Sequence, residues 1–355
     1  VKLLENVSLA DHSTLGLGGP AKYLAIAEHE HDVGGIVSWA RRQGLELAVL
    51  GGGSNVVVSD AGVDAVVLKI ALRGTSWDPE LGRVEAAAGE PWDELVAQSV
   101  ARGWAGLECL SGIPGLVGAT PIQNVGAYGQ EVHEVIHSVR VYDRQLGSVQ
   151  SLSNEACRFG YRDSLFKSIV PERFIVLAVR FELRRAGKPV LRHPRLAEAM
   201  SAEPSVTLAQ VREQVLALRR AKCMLWEPHT EALRSCGSFF VNPVVDPALL
   251  RRVRQASAAE PPSYPQPDGR IKIPAAWLIE RAGFGRGHSA GRVGLSPHHS
   301  LCIVCHDGAT ASDVVDFARS IRAAVRERFG IALAPEPAFL GFGTPPTARP
   351  AVFAT

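Results

Sequence analysis

Between Leu110 and Gly129 the chain carries five glycines and two prolines without one Asp, Glu, Lys or Arg. Exposed linkers are polar, so backbone this bare points to a main chain packed closely against something, a ligand being one candidate. A second such place lies upstream, where the apolar run Leu45 to Leu50 ends in Gly51-Gly52-Gly53-Ser54-Asn55. Amides there can approach a phosphate without side-chain clash, and Asn55 can bond back across the turn, although a glycine cluster after a strand is as often only a turn. The glycines are contiguous and another short apolar run follows them, which separates the motif from the dinucleotide-binding G-x-G-x-x-G turn and its long helix.

A chain of 355 residues can form two or three domains, and 46% hydrophobic with 21% charged residues describes a folded, loop-rich protein. Net charge is +2 with no uninterrupted basic tract, so an extended nucleic-acid site has no support, while a local anion site stays open. The six cysteines form no ligand clusters; Cys302 and Cys305 have CxxC spacing but lie in an apolar run without a second pair. Buried free thiols and no metal site are expected. Neither a signal peptide nor a membrane-crossing segment is visible, which makes the cytoplasm the default location and excludes membrane insertion.

Periodicity predicts a helix over His31 to Arg42, with Val33, Ile36, Val37 and Ala40 on one side, and strands at Leu45 to Leu50, Ala65 to Ile70 and Val84 to Ala88. Pro91 opens a helix over Trp92 to Ala101. Two alternating strands follow, around Val135 to Tyr142 and Phe174 to Leu183, with Ile175, Leu177, Val179, Phe181 and Leu183 on one face. Composition shifts at Arg184 to Pro204, a domain junction, before an amphipathic helix over Leu208 to Met224. A short helix, Ala275 to Arg281, stops at Gly283, and Leu301 to Cys305 reads as a buried strand. The longest helix starts at a Ser312 cap and runs to Gly330, and residues 343–355 read as a poorly ordered tail.

Chemistry concentrates in four places. In Ser111 to Glu131 the small and apolar residues suit the face of an isoalloxazine ring, and Gln123 and Asn124 suit its polar edge or ribityl chain; a tight structural loop is the alternative. Arg162, in Cys157 to Lys167, wants a planar anion, which a substrate carboxylate or Asp163 can supply. Ser238 sits between Gly237 and the rings of Phe239 and Phe240, where a hydroxyl can deliver a proton away from water or simply bond to backbone. Glu336, between two prolines, is either a fixed carboxylate or a solvated loop residue.

Six ordered landmarks, GGGSN at Gly51, SGIPGLVGATPIQNVGAYGQE at Ser111, YRDSLFK at Tyr161, GSFFVNP at Gly237, IPAAWLIERAGF at Ile273 and PEPAFLG after the last helix, resemble the MurB family of UDP-N-acetylenolpyruvoylglucosamine reductases. The likeness covers nearly the whole chain and is strongest to the longer, type I-like branch with a mobile loop. It implies an α+β protein: an FAD-binding domain of the vanillyl-alcohol-oxidase/PCMH type with a separate α+β substrate-binding domain. The expected division is 1–70 and 71–215 for FAD, with 331–355 returning to the second part, and 216–330 for substrate. FAD, held without a covalent link, would lay its diphosphate on Gly51, Gly52, Gly53, Ser54 and Asn55. Its ring would lie near Ser111, Gly112, Ile113, Gly118, Ala119, Gln123, Asn124, Gly126 and Ala127.

The implied reaction takes hydride from NADPH through flavin to the enolpyruvyl ether of a UDP-sugar in peptidoglycan precursor synthesis. Arg162 and Glu336, the latter as a neutral acid, stabilise the charge building on the substrate carboxylate, and Ser238 protonates the α-carbon. Tyr161 borders the site shared by NADPH and substrate, and Asn242 meets the substrate diphosphate. A monomer is expected. The chain departs from the family pattern at Val241, where Lys or Thr is usual, and Lys222 can compensate. It departs again at His193 for the mobile-loop tyrosine, at Lys222-Cys223-Met224, and at His298-His299. These leave room for a reductase of another UDP-linked enolpyruvyl compound, and an FAD oxidase of the same fold is a further alternative.

Overall fold

The protein is described from a computed structural model covering residues 2–201, 205–225, 234–257, 259–348 and 350–353. It forms two compact units, one of Val1–Val7, Lys22–Gly52 and Ala65–Thr230, the other of Ser8–Ala21, Gly53–Asp64 and Glu231–Thr355. The chain therefore crosses between units within the first glycine loop.

The first unit is built on an antiparallel five-stranded sheet in the order Ser148–Ser153, Ile136–Asp143, Phe174–Glu182, Arg83–Ala87, Thr75–Asp78. Ile175, Leu177, Val179 and Phe181 are buried as their alternation predicts, but Val176 and Ala178 are buried too, because this central strand is covered on both faces. Helix α1 (Glu30–Arg42) inserts Val33, Ile36, Val37 and Ala40 into the same core. Helix α2 (Trp92–Ala101) starts after Pro91 as expected. It anchors the long glycine-rich stretch: Trp92 Nε1 donates to Leu110 O at 3.0 Å and Trp92 N to Gly115 O at 3.0 Å. Gly118 N reaches Ala88 O at 2.9 Å, and a Cβ on Gly118 would strike Ala88 Cβ at 2.5 Å, so here the glycine serves the fold.

The stretch expected to be a junction contains a short helix, α3 (Pro194–Ala199), opened by its proline and buried through Leu196. Helix α4 (Leu208–Arg220) ends one turn before Met224. Cys223 adopts φ +50° there, and the bonds Met224 N to Arg219 O and Cys223 N to Arg220 O close a Schellman cap that periodicity alone did not foretell.

The second unit contains α5 (Pro247–Ala256), α6 (Ala275–Arg281) and α7 (Ala311–Phe329), with small sheets such as the antiparallel Ser289–Ala290, Val293–Leu295, Ile303–Cys305 and the parallel pair Val56–Val58 with Ala338–Leu340. Helix α7 buries Val314, Phe317, Ala318, Ile321, Val325 and Phe329 and stops at Gly330, φ +73°. Its cap is Thr310 and not Ser312: Thr310 and Asp313 form a reciprocal capping box, whereas the Ser312 hydroxyl donates to Asp60 at 2.9 Å. Of the tail expected to be poorly ordered, residues 349, 354 and 355 lie outside the described residues, while Ala351–Phe353 form a turn that stacks Phe353 on Phe339 at 5.4 Å, where a ring offers enough apolar surface to hold a short segment.

Candidate active site

The three glycines of the first loop differ in what the fold asks of them. Gly53 has φ +66°, and a Cβ on it would sit 1.9 Å from His12 O, so no other residue fits. On Gly52 a Cβ would approach Gly115 Cα at 3.0 Å, which brings the two glycine-rich stretches together. On Gly51 the nearest atoms would be Ala119 Cβ at 3.9 Å and Leu116 Cδ1 at 4.0 Å, ordinary distances. The space in front of Gly51 is thus open to a group that lies close against the backbone, and a diphosphate such as that of FAD suits bare amides of this kind. A short strand follows, Val56–Val58, in place of the helix of a Rossmann turn. Asn55 bonds away from the loop: its O accepts from Ala338 N at 3.0 Å and its Nδ2 lies 3.5 Å from Glu336 O.

Along the second stretch, Ser111 is fully buried and its hydroxyl donates to Glu108 O at 2.7 Å. Gly112, φ +71°, donates to Asp93 Oδ1 at 2.5 Å and accepts from Arg219 Nε at 2.9 Å. Ile113 leans on the core, and Gly118 and Ala119 lie in a 3-10 turn. Gly126 and Ala127 pair with Glu131 and Gln130 across a tight hairpin turned by Tyr128 and Gly129. Asn124 has φ +44° and is fully buried; its Nδ2 donates to Glu131 Oε2 and to Gly160 O, both at 2.8 Å, and its Oδ1 accepts from His133 N at 3.1 Å. The side chain expected at a flavin edge is thus an internal brace.

That brace carries Arg162. At φ +54°, Arg162 donates Nη1 to Asn124 O at 3.3 Å and Nη2 to Gly126 O at 2.5 Å, with its guanidinium 5.3 Å from the Tyr161 ring. Asp163, the alternative partner, accepts from Ser164 N at 2.8 Å and from the Ser168 hydroxyl. Beside them, Glu131 Oε2 lies 3.3 Å from His133 Nδ1. The Glu131 contact holds His133 above the usual imidazole range against burial. Burial pushes Glu131 up, but His133, Arg162 and Asn124 together hold it below the usual carboxylate range. Neither residue stood out in the sequence as a site: Glu131 ends the hairpin strand and His133 lies in the 3-10 turn Val132–Glu134 that follows it, a juxtaposition no period-2 or helical spacing announces.

Elsewhere in the first unit, Lys222 Nζ lies 5.6 Å from the Tyr128 ring, and His193 meets that ring edge-on at 5.3 Å. Burial, then Lys222 and Arg195, hold His193 below the usual imidazole range. The family departure at His193 and the lysine proposed to compensate are therefore neighbours.

In the second unit the segment after Gly237 is held on both sides. Phe239 N donates to Leu301 O at 2.8 Å, while Glu336 N donates to Phe239 O at 2.8 Å and Val241 N to Ala334 O at 3.0 Å. Phe239 and Phe240 are buried and Ser238 and Glu336 half-buried, and isolated bridges from Ser238 to Cys302 and from Phe240 to Pro335 join the segment to its neighbours on both sides. Asn242 Oδ1 accepts from Ala275 N at 2.9 Å, tying the segment to the start of α6. Five of the six cysteines are buried and Cys223 is exposed. Among the described residues the one His/Cys/Asp/Glu triplet of ligand spacing is His29, His31 and Asp32; Asp32 there caps α1 by accepting from Glu28 N and His29 N.

Comparisons with known proteins cover nearly the whole chain. A family profile for an FAD-binding domain matches residues 21–153, and one for the UDP-N-acetylenolpyruvoylglucosamine reductase C-terminal domain matches residues 227–340. The UDP-N-acetylenolpyruvoylglucosamine reductase of Saccharopolyspora erythraea is 46% identical over 344 residues, 93% of this chain and 93% of that one. That of Pseudomonas aeruginosa is 42% identical over 342 residues, 95% of this chain and 98% of that one. The crystal structure of UDP-N-acetylenolpyruvylglucosamine reductase from Thermus caldophilus superposes with a TM-score of 0.66 at 27% identity, covering 95% of this chain and 98% of that one.

Proposed function

The chain belongs to the UDP-N-acetylenolpyruvoylglucosamine reductase family, and on that premise we propose which residues perform its reaction. The protein is an FAD-dependent oxidoreductase of the vanillyl-alcohol-oxidase-type fold that reduces UDP-N-acetylglucosamine enolpyruvate to UDP-N-acetylmuramate. NADPH is the proposed reductant. Bound FAD supplies hydride chemistry; the rest falls to side chains. Gly51 to Asn55 cradle its diphosphate, and the backbone of the stretch from Ser111 to Ala127, with Gln123, lines its ring.

Arg162 receives the substrate carboxylate in its planar fork, and Glu336, as a neutral acid, donates to the charge that develops there. Ser238 delivers the proton to the α-carbon. Tyr161 borders the substrate, and Lys222 and Asn242 meet the diphosphate. The observation that supports this reading is the bond from Glu336 N to Phe239 O, which ties the backbone of Glu336 to the residue next to Ser238. In domain terms, residues 1–215, with 331–355 returning, serve FAD and 216–330 the substrate. The proposal places a monomer in the cytoplasm; among the described residues no helix is long and apolar enough to cross a membrane.

The test is anaerobic. NADPH should bleach the yellow protein, and one equivalent of UDP-N-acetylglucosamine enolpyruvate should restore its absorbance. A flavin that stays reduced with that substrate and recovers only in air would point to an oxidase and refute the assignment.

A further inference from the structure

His133 lies outside the residues assigned to the reaction, but its ring faces the Asn124 side chain, whose own carbonyl holds Arg162, and Glu131, which pairs with Gly126. Its Nδ1 is 3.2 Å from Asn124 Oδ1 and 3.3 Å from Glu131 Oε2. The Asn124 amide has one orientation, since Nδ2 faces the acceptors Glu131 Oε2 and Gly160 O while Oδ1 receives the His133 N–H. Both atoms facing Nδ1 are therefore acceptors, and Nδ1 carries a hydrogen whether the ring is neutral or charged.

The braced side chains belong to the backbone that grips the guanidinium, or lie across the hairpin from it. Asn124 O and Gly126 O accept from Arg162, and Gly126 pairs with Glu131 across the hairpin. A Cβ on Gly126 would come within 2.9 Å of both Arg162 Nη1 and Glu131 Cγ, so the two side chains converge on that glycine. His133 is fixed in turn by Asn154 Nδ2, which donates to its carbonyl at 2.8 Å, and by Phe159, whose ring lies 6.2 Å away. The charged groups around its ring are Glu131, Glu134 and Arg192.

We propose that His133 is a positioning residue for Arg162: its Nδ1–H, shared between Glu131 and Asn124, fixes where the Glu131 carboxylate stands beside the guanidinium and steadies the Asn124 segment whose carbonyl holds it. The inference rests on the assignment of Arg162 to the substrate carboxylate. Without the imidazole, Glu131 keeps Asn124 and Arg162 as partners, and its carboxylate is free to shift further onto the guanidinium, where it competes with substrate.

The experiment measures the two half-reactions of FAD-loaded His133→Ala, His133→Asn and Arg162→Ala, with flavin content as the folding control. Loss of one charge-assisted hydrogen bond predicts that His133→Ala needs roughly tenfold more enolpyruvyl substrate for half-maximal flavin reoxidation. Bleaching by NADPH should be unchanged, and His133→Asn, whose amide NH₂ can stand near the Nδ1 position, should recover most of the loss. If Arg162→Ala abolishes reoxidation while His133→Ala behaves as the parent, the inference is wrong and the Arg162 assignment stands. If Arg162→Ala reoxidises normally, the assignment fails and the inference with it. Equal losses of both half-reactions in His133→Ala without rescue by Asn make His133 merely structural, which also overturns the proposal.

Discussion

Alanine at Gly51 and alanine at Gly53, two residues apart in one loop, should have opposite consequences. At Gly53 the new Cβ would stand 1.9 Å from a backbone oxygen, His12 O, which is 1.1 Å inside the 3.0 Å limit of real contacts. The left-handed φ of +66° adds about 1–2 kcal/mol for a residue with a Cβ. With the overpacking strain of about 1–3 kcal/mol, the total is roughly 2–5 kcal/mol, a large part of an ordinary protein's stability. At Gly51 the nearest atoms are 3.9 Å away, so the FAD-free protein should unfold within about 0.5 kcal/mol of the parent. FAD affinity should fall nonetheless, by about 10- to 100-fold if the Cβ costs one charge-assisted bond to the diphosphate. Thermal unfolding of flavin-stripped protein and titration with FAD by fluorescence quenching read the two effects separately. Parent-like FAD binding by Gly51→Ala would remove the diphosphate from this loop, and equal destabilisation by the two variants would refute the steric reasoning.

Ser238→Ala should bleach normally with NADPH but lose at least roughly 10²-fold in reoxidation by substrate, and Ser238→Cys should recover part of it, because a thiol can also donate a proton. Reoxidation of the alanine protein at the parent rate would make Ser238 structural. Asp143, fully buried, is held below the usual carboxylate range first by the Arg173 guanidinium, against burial and with help from Gln145 N and Leu146 N. A depressed folded value means the unfolded carboxylate protonates first, so this stability is complete above the ordinary carboxylate range and is lost as pH falls through the folded value. Unfolding temperatures measured from neutral to acid pH should therefore fall less steeply in Asp143→Asn than in the parent; identical slopes would rule the linkage out.

How legible the protein was depended on how local each signal is. Helix α1, α2, α6 and α7 follow from apolar spacing, and their stops at Gly283 and Gly330 from glycine. Caps were less legible: Thr310 and Ser312 are both good N-cap types, and the box was readable only by weighing Asp313 three residues after Thr310. The early end of α4 depends on Cys223 taking a conformation that its side chain disfavours. Site residues were legible as chemical types. What could not be read was whether the protein or the ligand needs each one: Gly53 answers to His12 O, Gly51 to nothing in the chain, and Asn124 to Glu131 and Gly160.

The backbone around Arg162 shows why conformation was the least legible part. Asn124, Tyr128, Arg158 and Arg162 all have φ between +44° and +54°, a region in which side chains cost about 1 kcal/mol or more each. No sequence rule selects a tyrosine or an arginine for it. The conformation holds because local bonds determine it: the Asn124 amide is occupied at both ends, and Lys167 Nζ donates to Arg162 O at 2.9 Å. A guanidinium bonded to two carbonyls on this frame is held in one orientation. Under the role proposed for Arg162, its contribution lies in an orientation set during folding, so that little reorganisation remains when charge develops on the substrate. Strain, brace and guanidinium thus form one device, and its parts should fail together: loosening Asn124 ought to weaken the reaction through Arg162 although Asn124 keeps its side chain turned into the protein.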